Sequence, residues 1–381
     1  MSLEQEIASL VQSTNRLTDS AMQALRHSQD LLLQSQTKFE DLAITTPTTL
    51  NVGIFQPYTS IQAAWDALLH KIILAPVTIK IEPGIYTEYI AWMDQPYAHN
   101  IHIQGAGVDQ TILQAPDGDA RYIIYCRNIR ALTLAGITIK GLYNPNNASE
   151  PLSSHGLGAF DHSYIYIQDG SIKVTDCWAA MYTNANSCII ARKAQFIKNR
   201  HAVVADGGYI GIEESNLVGC GRFINSAGVL CAGGGTINAT EVNARDYEFG
   251  FNVERGSTIH ASRAHATQCN MGFRANFNGT LLANESSTDN VNQGYYAEYN
   301  ASIWAPNSRA RICTTGYVAR LGASIYAVDS QTEDCTDGYY AETFGTIEAF
   351  RTINNAKNVT RVYSPAQYAT LGNDNGLIRW S

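Results

Sequence analysis

The sequence has little of what marks nucleic-acid-binding, membrane and secreted proteins. Only 16% of its residues are charged, and a net charge of −8 provides no basic face, which argues against a nucleic-acid partner. No apolar run approaches the roughly 20 residues of a membrane span, so we expect no membrane insertion. The first residues, MSLEQEIASL, lack a basic segment and a small-residue cleavage site, which predicts synthesis in a cytoplasm without a secretion signal.

Motifs for metals and cofactors are also missing. The eight cysteines form no CxxC pair, and neither a Ser-His-Asp order nor a phosphate-binding loop can be defended, so we expect no metal and no cofactor. Cys313 and Cys335 fall at equivalent repeat positions and are near enough for a disulfide. Buried free thiols are the simpler interpretation and fit a reducing place of synthesis. Gly105 and Gly107 lack the third glycine of a dinucleotide-binding motif, so we expect a corner of the chain there.

What the sequence does contain is a repeat of 22 residues from Gly228 to Lys357. A glycine row begins each copy: Gly228, Gly250, Gly272, Gly294, Gly316 and Gly338. The next residue is apolar or aromatic: Val229, Phe251, Phe273, Tyr295, Tyr317 and Tyr339. Nine residues after the glycine stands an aliphatic row: Ile237, Ile259, Leu281, Ile303, Ile325 and Ile347. Two residues further on is an alanine row: Ala239, Ala261, Ala283, Ala305, Ala327 and Ala349.

The spacing inside each copy predicts strands. Apolar positions lie two residues apart in three places per copy, which is the period of a strand and not the three-and-four spacing of an α-solenoid. Three short strands per turn describe a mainly β fold, a right-handed single-stranded parallel β-helix of 22-residue coils. We expect the glycine row to supply a backbone conformation at a corner that a Cβ would hinder, and the alanine row to fill a narrow interior.

Residues 1–45 show a different pattern. Leu3, Ile7, Leu10, Leu17 and Leu31 lie on an a/d heptad grid, and neither glycine nor proline interrupts residues 1–43. The weaker grid positions are Thr14, Ala21, Ala24 and Ser28. This pattern predicts a long helix that forms a coiled coil with copies of itself, with help from the next domain because of the polar a positions. A single helix that packs on its own domain is the alternative.

Three further segments complete the predicted organisation. Residues 46–59 form a turn-prone linker, and Ser60 then caps a short amphipathic helix that covers the open end of the solenoid. The apolar residues of this helix are Ile61, Ala64, Trp65, Leu68 and Leu69. The β-helix with its cap spans 60–358. Residues 359–381 are expected to fold over the last coil, with Leu377 and Ile378 as apolar cover.

The opening coils carry the motifs of a known family. They read VTIKI at 77–81, PGIYTE at 83–88, IHIQGAG at 101–107, TIL at 111–113 and LTLAGITI at 132–139. This order resembles the first coils of the pectin-lyase-like right-handed β-helices, and its motifs mark the fold without marking a catalytic site.

The wider organisation resembles that of bacteriophage tail fibres and tailspikes. By that resemblance the chain would be a homotrimer in the virion tail. Residues 1–45 would attach it to a tail or baseplate protein, and the β-helix would face a bacterial surface polysaccharide. The sequence departs from this group because no recognisable trimerisation domain follows the β-helix.

Candidate catalytic carboxylates are few. The fourth residue after each repeat glycine forms an outward row: Ala232, Glu254, Asn276, Glu298, Arg320 and Glu342. Asp206 would extend it and stand two coils from Glu254, roughly 9.6 Å away, which borders on the separation of an inverting glycosidase. Solvated turn positions are the simpler interpretation of Asp206 and Glu254. A surface ion-pair ladder explains Glu298, Arg320 and Glu342 without catalysis. Asp161 and His162, beside the turn-rich insertion at 141–161, form a second, weaker group.

Outward aromatic residues give a stronger signal. We expect exposed rings at Tyr296, Trp304, Tyr326 and Tyr340, which suit the C–H faces of sugars. Contacts between trimer subunits would explain the same residues equally well. The sequence therefore favours a structural tail fibre that binds a host glycan without cleaving it. A tailspike polysaccharide depolymerase, hydrolase or lyase, is the alternative, and a secreted pectate-lyase-type enzyme is a distant third.

Overall fold

The structure is a computed structural model that describes residues 2–116, 122–144, 155–184, 186–221, 224–352, 356–357, 359, 361–365 and 376–379. It contains a long N-terminal helix followed by a solenoid of parallel strands. The helices are Leu3–Leu42, Ile61–Asp66 and the 3-10 turn Ala98–Asn100.

Each coil contributes one strand to each of three rows, A, B and C, which confirms the predicted parallel β-helix. Row A is a sheet of 14 strands: Thr48–Val52, Val77–Ile81, Ile101–Gln104, Leu132–Ala135, Tyr164–Ile167, Cys188–Ala191, Tyr209–Gly211, Thr236–Asn238, Thr258–His260, Thr280–Leu282, Ser302–Trp304, Ser324–Tyr326, Thr346–Glu348 and Leu377–Arg379.

Rows B and C belong to one bent sheet of 22 strands. Row B consists of Gly84–Thr87, Thr111–Gln114, Ile137–Lys140, Ile172–Thr175, Gln195–Asn199, Asn216–Gly219, Asn243–Arg245, His265–Thr267, Gln331–Glu333 and Ala356–Lys357. Row C consists of Ile90–Met93, Tyr122–Arg127, His155–Phe160, Ala179–Asn184, His201–Asp206, Ala227–Ala232, Phe249–Val253, Met271–Ala275, Asp337–Ala341 and Arg361–Pro365. Two long strands run through both rows: Ser287–Ala297 and Arg309–Ala319.

The predicted repeat rows form the core. Ile237, Ile259, Leu281, Ile303, Ile325 and Ile347 pair in register, coil on coil. The alanine row is fully buried. The aromatic row is a continuous buried stack from Phe251 to Tyr339, with ring centroids 4.7–5.0 Å apart and ring planes within 9° of parallel. Each coil therefore repeats the packing of its neighbour.

The aromatic row is matched to a second buried position. The Tyr295, Tyr317 and Tyr339 hydroxyls lie 2.8–3.0 Å from the serine hydroxyl nine residues earlier, which is Ser286, Ser308 or Ser330. In the two coils that carry phenylalanine, Phe251 and Phe273, the equivalent residues are Val242 and Ala264. A buried hydroxyl is thus present only where a partner exists, which avoids an unsatisfied polar group.

The glycine row has a different cause from the one expected. None of these glycines has a left-handed backbone. A Cβ at Gly294 would instead lie 2.5 Å from the carbonyl oxygen of Gly316, and the same approach, at 2.7–2.8 Å, recurs from Gly228 to Gly316. Left-handed conformations occur at polar corner residues: Glu241, Arg263, Glu285, Asn307, Asp329 and Arg351. The glycines are needed because neighbouring coils touch at the backbone.

The β-helix begins earlier than predicted. The expected linker at 46–59 contains Thr48–Val52, which pairs with Val77–Ile81 as the first strand of row A. The capping helix is confirmed: the Ser60 hydroxyl accepts a hydrogen bond of 3.1 Å from the Ala63 amide, and Trp65 packs on Trp92 with ring centroids 5.6 Å apart. The strand at 77–81 was predictable because its alternation of apolar and polar residues recurs in the next coils. No such recurrence marked the strand at 48–52.

The β-helix also ends later than predicted. Leu377–Arg379 pairs with Thr346–Glu348 as a further strand of row A, and Arg361–Pro365 extends row C. The chain thus adds another coil where a cap was expected. Its step from Ile347 to Ile378 is 31 residues, which hides it from a search for a 22-residue period.

The long helix Leu3–Leu42 buries no residue against the described part of the chain. Its predicted stripe is open, with exposed fractions of 74% for Leu3, 71% for Leu10 and 76% for Leu17. The alternative of a helix that packs on its own domain is therefore wrong. The helix is joined to the solenoid by Ala43–Ile44, which pairs with Ile72–Ile73, and by a hydrogen bond of 2.6 Å from the Lys71 ammonium to the Asp41 carbonyl.

Candidate functional site

The main candidate site is a groove on the outer face of row A. Trp304 and Tyr326 stand on neighbouring coils with ring centroids 3.8 Å apart and planes 7° from parallel. The indole is 48% exposed. The groove has a volume of about 370 Å³. Its lining consists of Thr280, Leu282, Ser302, Ile303, Trp304, Ser324, Ile325, Tyr326, Thr346 and Glu348.

The groove has two unlike walls because outward side chains alternate along each strand of row A. One wall is a line of hydroxyl groups: Thr280, Ser302, Ser324 and Thr346. The other carries Leu282, Trp304, Tyr326 and Glu348 in register. The groove follows the solenoid axis over three coil steps, roughly 14 Å at about 4.8 Å a step. Its hydroxyl wall and aromatic wall suit a ligand with hydroxyl groups and apolar faces.

The Trp304–Tyr326 stack limits how a ring can bind. The facing surfaces of the two rings cover each other, so a ligand reaches only their outer edges and the far face of each ring. Beyond the Tyr326 ring lies Glu348, whose carboxylate pairs with Arg379 at 3.4 Å. This ion pair is the charged end of a groove whose lining is otherwise neutral.

Tyr296 and Tyr340 do not belong to this groove. They lie on row C, and the expectation of an exposed ring at Tyr296 is wrong because that residue is 6% exposed. Its hydroxyl donates a hydrogen bond of 2.9 Å to Glu298, and burial raises its pKa to about 12. Tyr340 is half-buried and donates similarly to Glu342 at 2.7 Å. Period-two alternation placed both tyrosines on the outer face but could not show that neighbouring side chains cover it.

Of the predicted ion-pair ladder, the Arg320–Glu342 contact is present beside these tyrosines, and Glu298 pairs with Arg274, which lies outside the predicted row. Arg274 contacts Glu298 at 2.7 Å, and Arg320 contacts Glu342 at 2.9 Å. Both glutamates are largely buried. Their carboxylates are thus bound to a guanidinium and a phenol, which fits a structural role better than proton transfer.

Asp206 and Glu254 stand two coils apart, as expected, since Asp206 pairs with Ala232 and the next coil places Glu254 beside it. Asp206 is exposed and lies 3.4 Å from the Tyr182 hydroxyl. Glu254 is half-buried and lies 4.0 Å from the Arg255 guanidinium. Neither is placed in the row A groove, so the structure does not join them to the aromatic pair.

Asp161 and His162 occupy the exposed turn between the row C strand His155–Phe160 and the row A strand that begins at Tyr164. Both have a left-handed backbone, with φ values of 50° and 64°. They are exposed turn residues at a corner of the coil. Much of the insertion beside them, 145–154, lies outside the described residues.

An aromatic cluster on the outer face of row C was not predicted from the sequence. It consists of Tyr122, Tyr125, His155, Phe160, Trp178 and Tyr182. The coils here differ in length, so no fixed period aligned these residues. The only available signal was the local density of aromatic residues between 122 and 182.

Two general features concern cofactors and membranes. Among the described residues, no group of three or more histidine, cysteine or acidic side chains is arranged to hold a metal ion. In the same part of the chain, no helix is long and apolar enough to cross a membrane.

Comparison with known proteins gives the fold. No family model and no curated protein matches the sequence. The catalytic domain of a GH87 α-1,3-glucanase, solved in complex with nigerose, is similar over 88% of this chain and 68% of its own, with a TM-score of 0.58 and 12% identity. A polygalacturonase from Erwinia carotovora ssp. carotovora matches 89% of this chain and 98% of its own, with a TM-score of 0.44 and 9% identity. Together with the all-parallel rows, the glucanase similarity identifies this chain as a parallel β-helix of the pectin-lyase-like fold.

Proposed function

We propose that this chain is a structural bacteriophage tail-fibre protein that binds a neutral polysaccharide of the host surface in the row A groove. The observation that carries the glycan part is the exposed Trp304–Tyr326 pair opposite a wall of hydroxyl groups. Apolar ring surfaces and adjacent hydroxyls are the two contacts that a sugar ring uses. The groove follows the solenoid axis, so an extended glycan of a few sugar units would fit along it.

The carboxylates support binding without cleavage. Glycoside hydrolysis needs two carboxyl groups that flank one scissile bond. Near the groove, Glu348 is the one acidic side chain of the lining, and Arg379 neutralises it. Asp206 and Glu254 belong to another face.

The exposed helix Leu3–Leu42 supports the assembly part of the proposal. Its apolar stripe has no partner among the described residues of its own chain, and such a stripe is costly to leave in water. Burial between three copies would cover the stripe and leave the solenoid free. The same segment would then attach the trimer to a tail or baseplate protein.

Deletion of residues 2–42 tests this assembly, because the cut ends before the strand Ala43–Ile44. The truncated protein is expected to be a monomer with an unchanged β-sheet circular dichroism signal, and the full chain a trimer. Light scattering after size exclusion measures both masses. A monomeric full chain would rule out the trimer and leave the glycan proposal standing.

A polysaccharide depolymerase is the second candidate, favoured by the similarity to a glucanase whose solved complex contains nigerose. Four variants separate the two functions: Trp304→Ala, Tyr326→Ala, Glu254→Gln and Asp206→Asn. Host adsorption and the release of reducing ends or unsaturated sugars are measured for each. If the chain is a fibre, the two aromatic changes should weaken adsorption about tenfold each, and the two carboxylate changes should leave it nearly intact.

The matched control is His260→Ala, which removes an exposed ring from the same outward position two coils before Trp304. It should leave adsorption unchanged. Cleavage of host capsule or lipopolysaccharide by the wild type, abolished by either carboxylate change while adsorption persists, would establish the enzyme instead.

A further inference from the structure

The aromatic cluster on row C brings six rings together on the surface of the solenoid. Tyr122 is central to it, with its centroid 4.6 Å from that of His155 and 5.0 Å from that of Phe160. Phe160 also stacks between Tyr125, at 4.9 Å, and Tyr182, at 5.6 Å. These rings come from three successive coils, so they form one continuous apolar surface on a rigid sheet.

The cluster is open in a way that the buried stack of the core is not. Its six rings are all half-buried, whereas Phe251 through Tyr339 are fully covered. Gly158 lies at the middle of the cluster, and a Cβ there would come within 2.5–2.6 Å of the Tyr122 and Phe160 rings. The absence of a side chain lets these two rings lie close over the backbone. The cluster therefore presents a shallow apolar surface to solvent.

The polar groups at the rim fit a neutral, hydroxyl-rich ligand. The Tyr182 hydroxyl lies 3.4 Å from the Asp206 carboxylate, so a phenol and a carboxylate oxygen stand together at one edge. At the other edge, Trp178 lies between His155 and the buried His201, at 5.0 and 4.8 Å, and the Arg200 guanidinium stands 5.7 Å from the Trp178 ring centroid. Burial lowers the pKa of His155 to about 4 and that of His201 to about 3, so both are neutral at ordinary pH. The Nδ1 atoms of both histidines are buried and have no hydrogen-bond partner among the described residues, so they lie beneath the ring surface.

We infer that the row C cluster around Tyr122, Phe160 and Tyr182 is a second saccharide-binding site, separate from the row A groove, and that it takes a neutral sugar. Rings with the Tyr182 hydroxyl at the rim offer the stacking surface and the hydroxyl partner that a pyranose uses. The two sites lie on different rows and on different coils, since the groove begins at Thr280. This inference stands whether or not the groove binds a glycan.

Tryptophan positions allow a direct test. The chain has five tryptophans: Trp178 is in the cluster, Trp304 is in the groove, Trp65 and Trp92 are fully buried, and Trp380 lies outside the described residues. The full chain is labelled with 5-fluorotryptophan, and Trp178→Phe and Trp304→Phe variants assign the fluorine resonances. Nigerose, maltotriose, cellotriose and laminaritriose are the probes, each titrated into the wild type and into Trp304→Ala.

The expected result is that at least one probe shifts the Trp178 resonance in a saturable way in both proteins. Phe160→Ala should weaken that binding about tenfold. Leu230→Ala, which truncates an outward apolar residue of row C two coils beyond Tyr182, should not change it. Tyr182→Phe keeps the ring and tests the hydroxyl, with a smaller loss expected. If none of the four sugars moves the Trp178 resonance, or if the shift persists unchanged in Phe160→Ala, the second site is refuted.

Discussion

The coils before residue 228 and those after it use the same three strand rows but keep them in register differently. In the earlier coils the step along row A changes from Ile79 to Ile103, Leu134, Ile167 and Ala191, with lengths of 24, 31, 33 and 24 residues. From Ile237 to Ile347 in the later coils it is 22 at every step. Corners absorb the difference in the first region, whereas the second region repeats one coil without change.

The two regions also differ in the column of inward side chains beneath row A that contains the alanine row. In the irregular coils this column contains mostly large residues: Ile79, Ile103, Leu134, Ile167, Ala191 and Ile212. In the regular coils the same column contains alanine alone, from Ala239 to Ala349. A large side chain can change its rotamer when a neighbour in the column is enlarged, whereas an alanine has no rotamer to change. The regular region should therefore be the less tolerant of the two.

The largest expected effect tests that intolerance. Ala305→Leu adds three heavy atoms between Ala283 and Ala327, both fully buried, and should lower the free energy of unfolding by about 1–3 kcal/mol. Thermal and urea denaturation measure the loss. Ser324→Leu places the same side chain on the exposed face of the next coil and should change stability by less than about 0.5 kcal/mol. Equal stability of the two variants would show that the alanine column has spare volume.

Acid, in contrast to an enlarged core residue, should destabilise the irregular region more than the regular one. His155 and His201 have folded pKa values of about 4 and 3, below the ordinary value of about 6.5. As the pH falls from about 6.5 toward 4, the unfolded chain binds protons that the folded chain does not bind, so stability is lost over that window. The regular coils contain only His260 and His265, which are exposed.

Hydrogen exchange followed by peptide can locate this loss, after correction for the intrinsic rate. Protection of peptides from 155–206 should fall at about pH 4.5 relative to pH 7, with peptides from 228–352 little changed. A variant with both His155→Phe and His201→Phe keeps the rings and should lose the difference. Uniform loss of protection along the solenoid would contradict this assignment.

The smallest expected effect sharpens the comparison inside the regular region. Ser308→Ala removes one partner of the buried Tyr317 hydroxyl and should lower the free energy of unfolding by about 1 kcal/mol. Adding Tyr317→Phe reproduces the arrangement of Phe273 with Ala264, so the double variant should recover part of the loss. A double-mutant cycle by urea denaturation gives the coupling energy. Strictly additive losses would mean that the two hydroxyls do not interact.

Much of this fold was predictable because the repeat displays itself in the sequence. The Ile259, Ala261 and Phe273 rows, the capping helix after Ser60 and the outward position of Trp304 follow from period and alternation. Each copy of the repeat independently supports the same assignment of strands and inward positions, so a chance match at one position has little effect. The row A pair Trp304–Tyr326 was predictable for the same reason.

The rest depended on information that no single segment carries. Whether Tyr296 is exposed depends on residues in the neighbouring coils: Arg274 binds Glu298, and Arg320 donates a hydrogen bond of 3.3 Å to the Tyr296 hydroxyl. The row C cluster unites Tyr122 with Phe160 and Tyr182 across unequal chain steps of 33 and 24 residues, set by the pairs Tyr122–His155 and Gly158–Tyr182. The first strand, Thr48–Val52, has no copy before it to reveal its period.

Identical coils between Gly250 and Gly338 have one more consequence, which concerns length. Each of them contacts only the coil before and the coil after, and their registers match residue for residue. Removal or duplication of a whole copy would join surfaces that already fit, with both end structures untouched. The reach of the protein is therefore quantised: it can change in increments of 22 residues, each worth about 4.8 Å. Insertions of any other size must bulge from a corner, so a lineage under selection for distance would vary by whole copies.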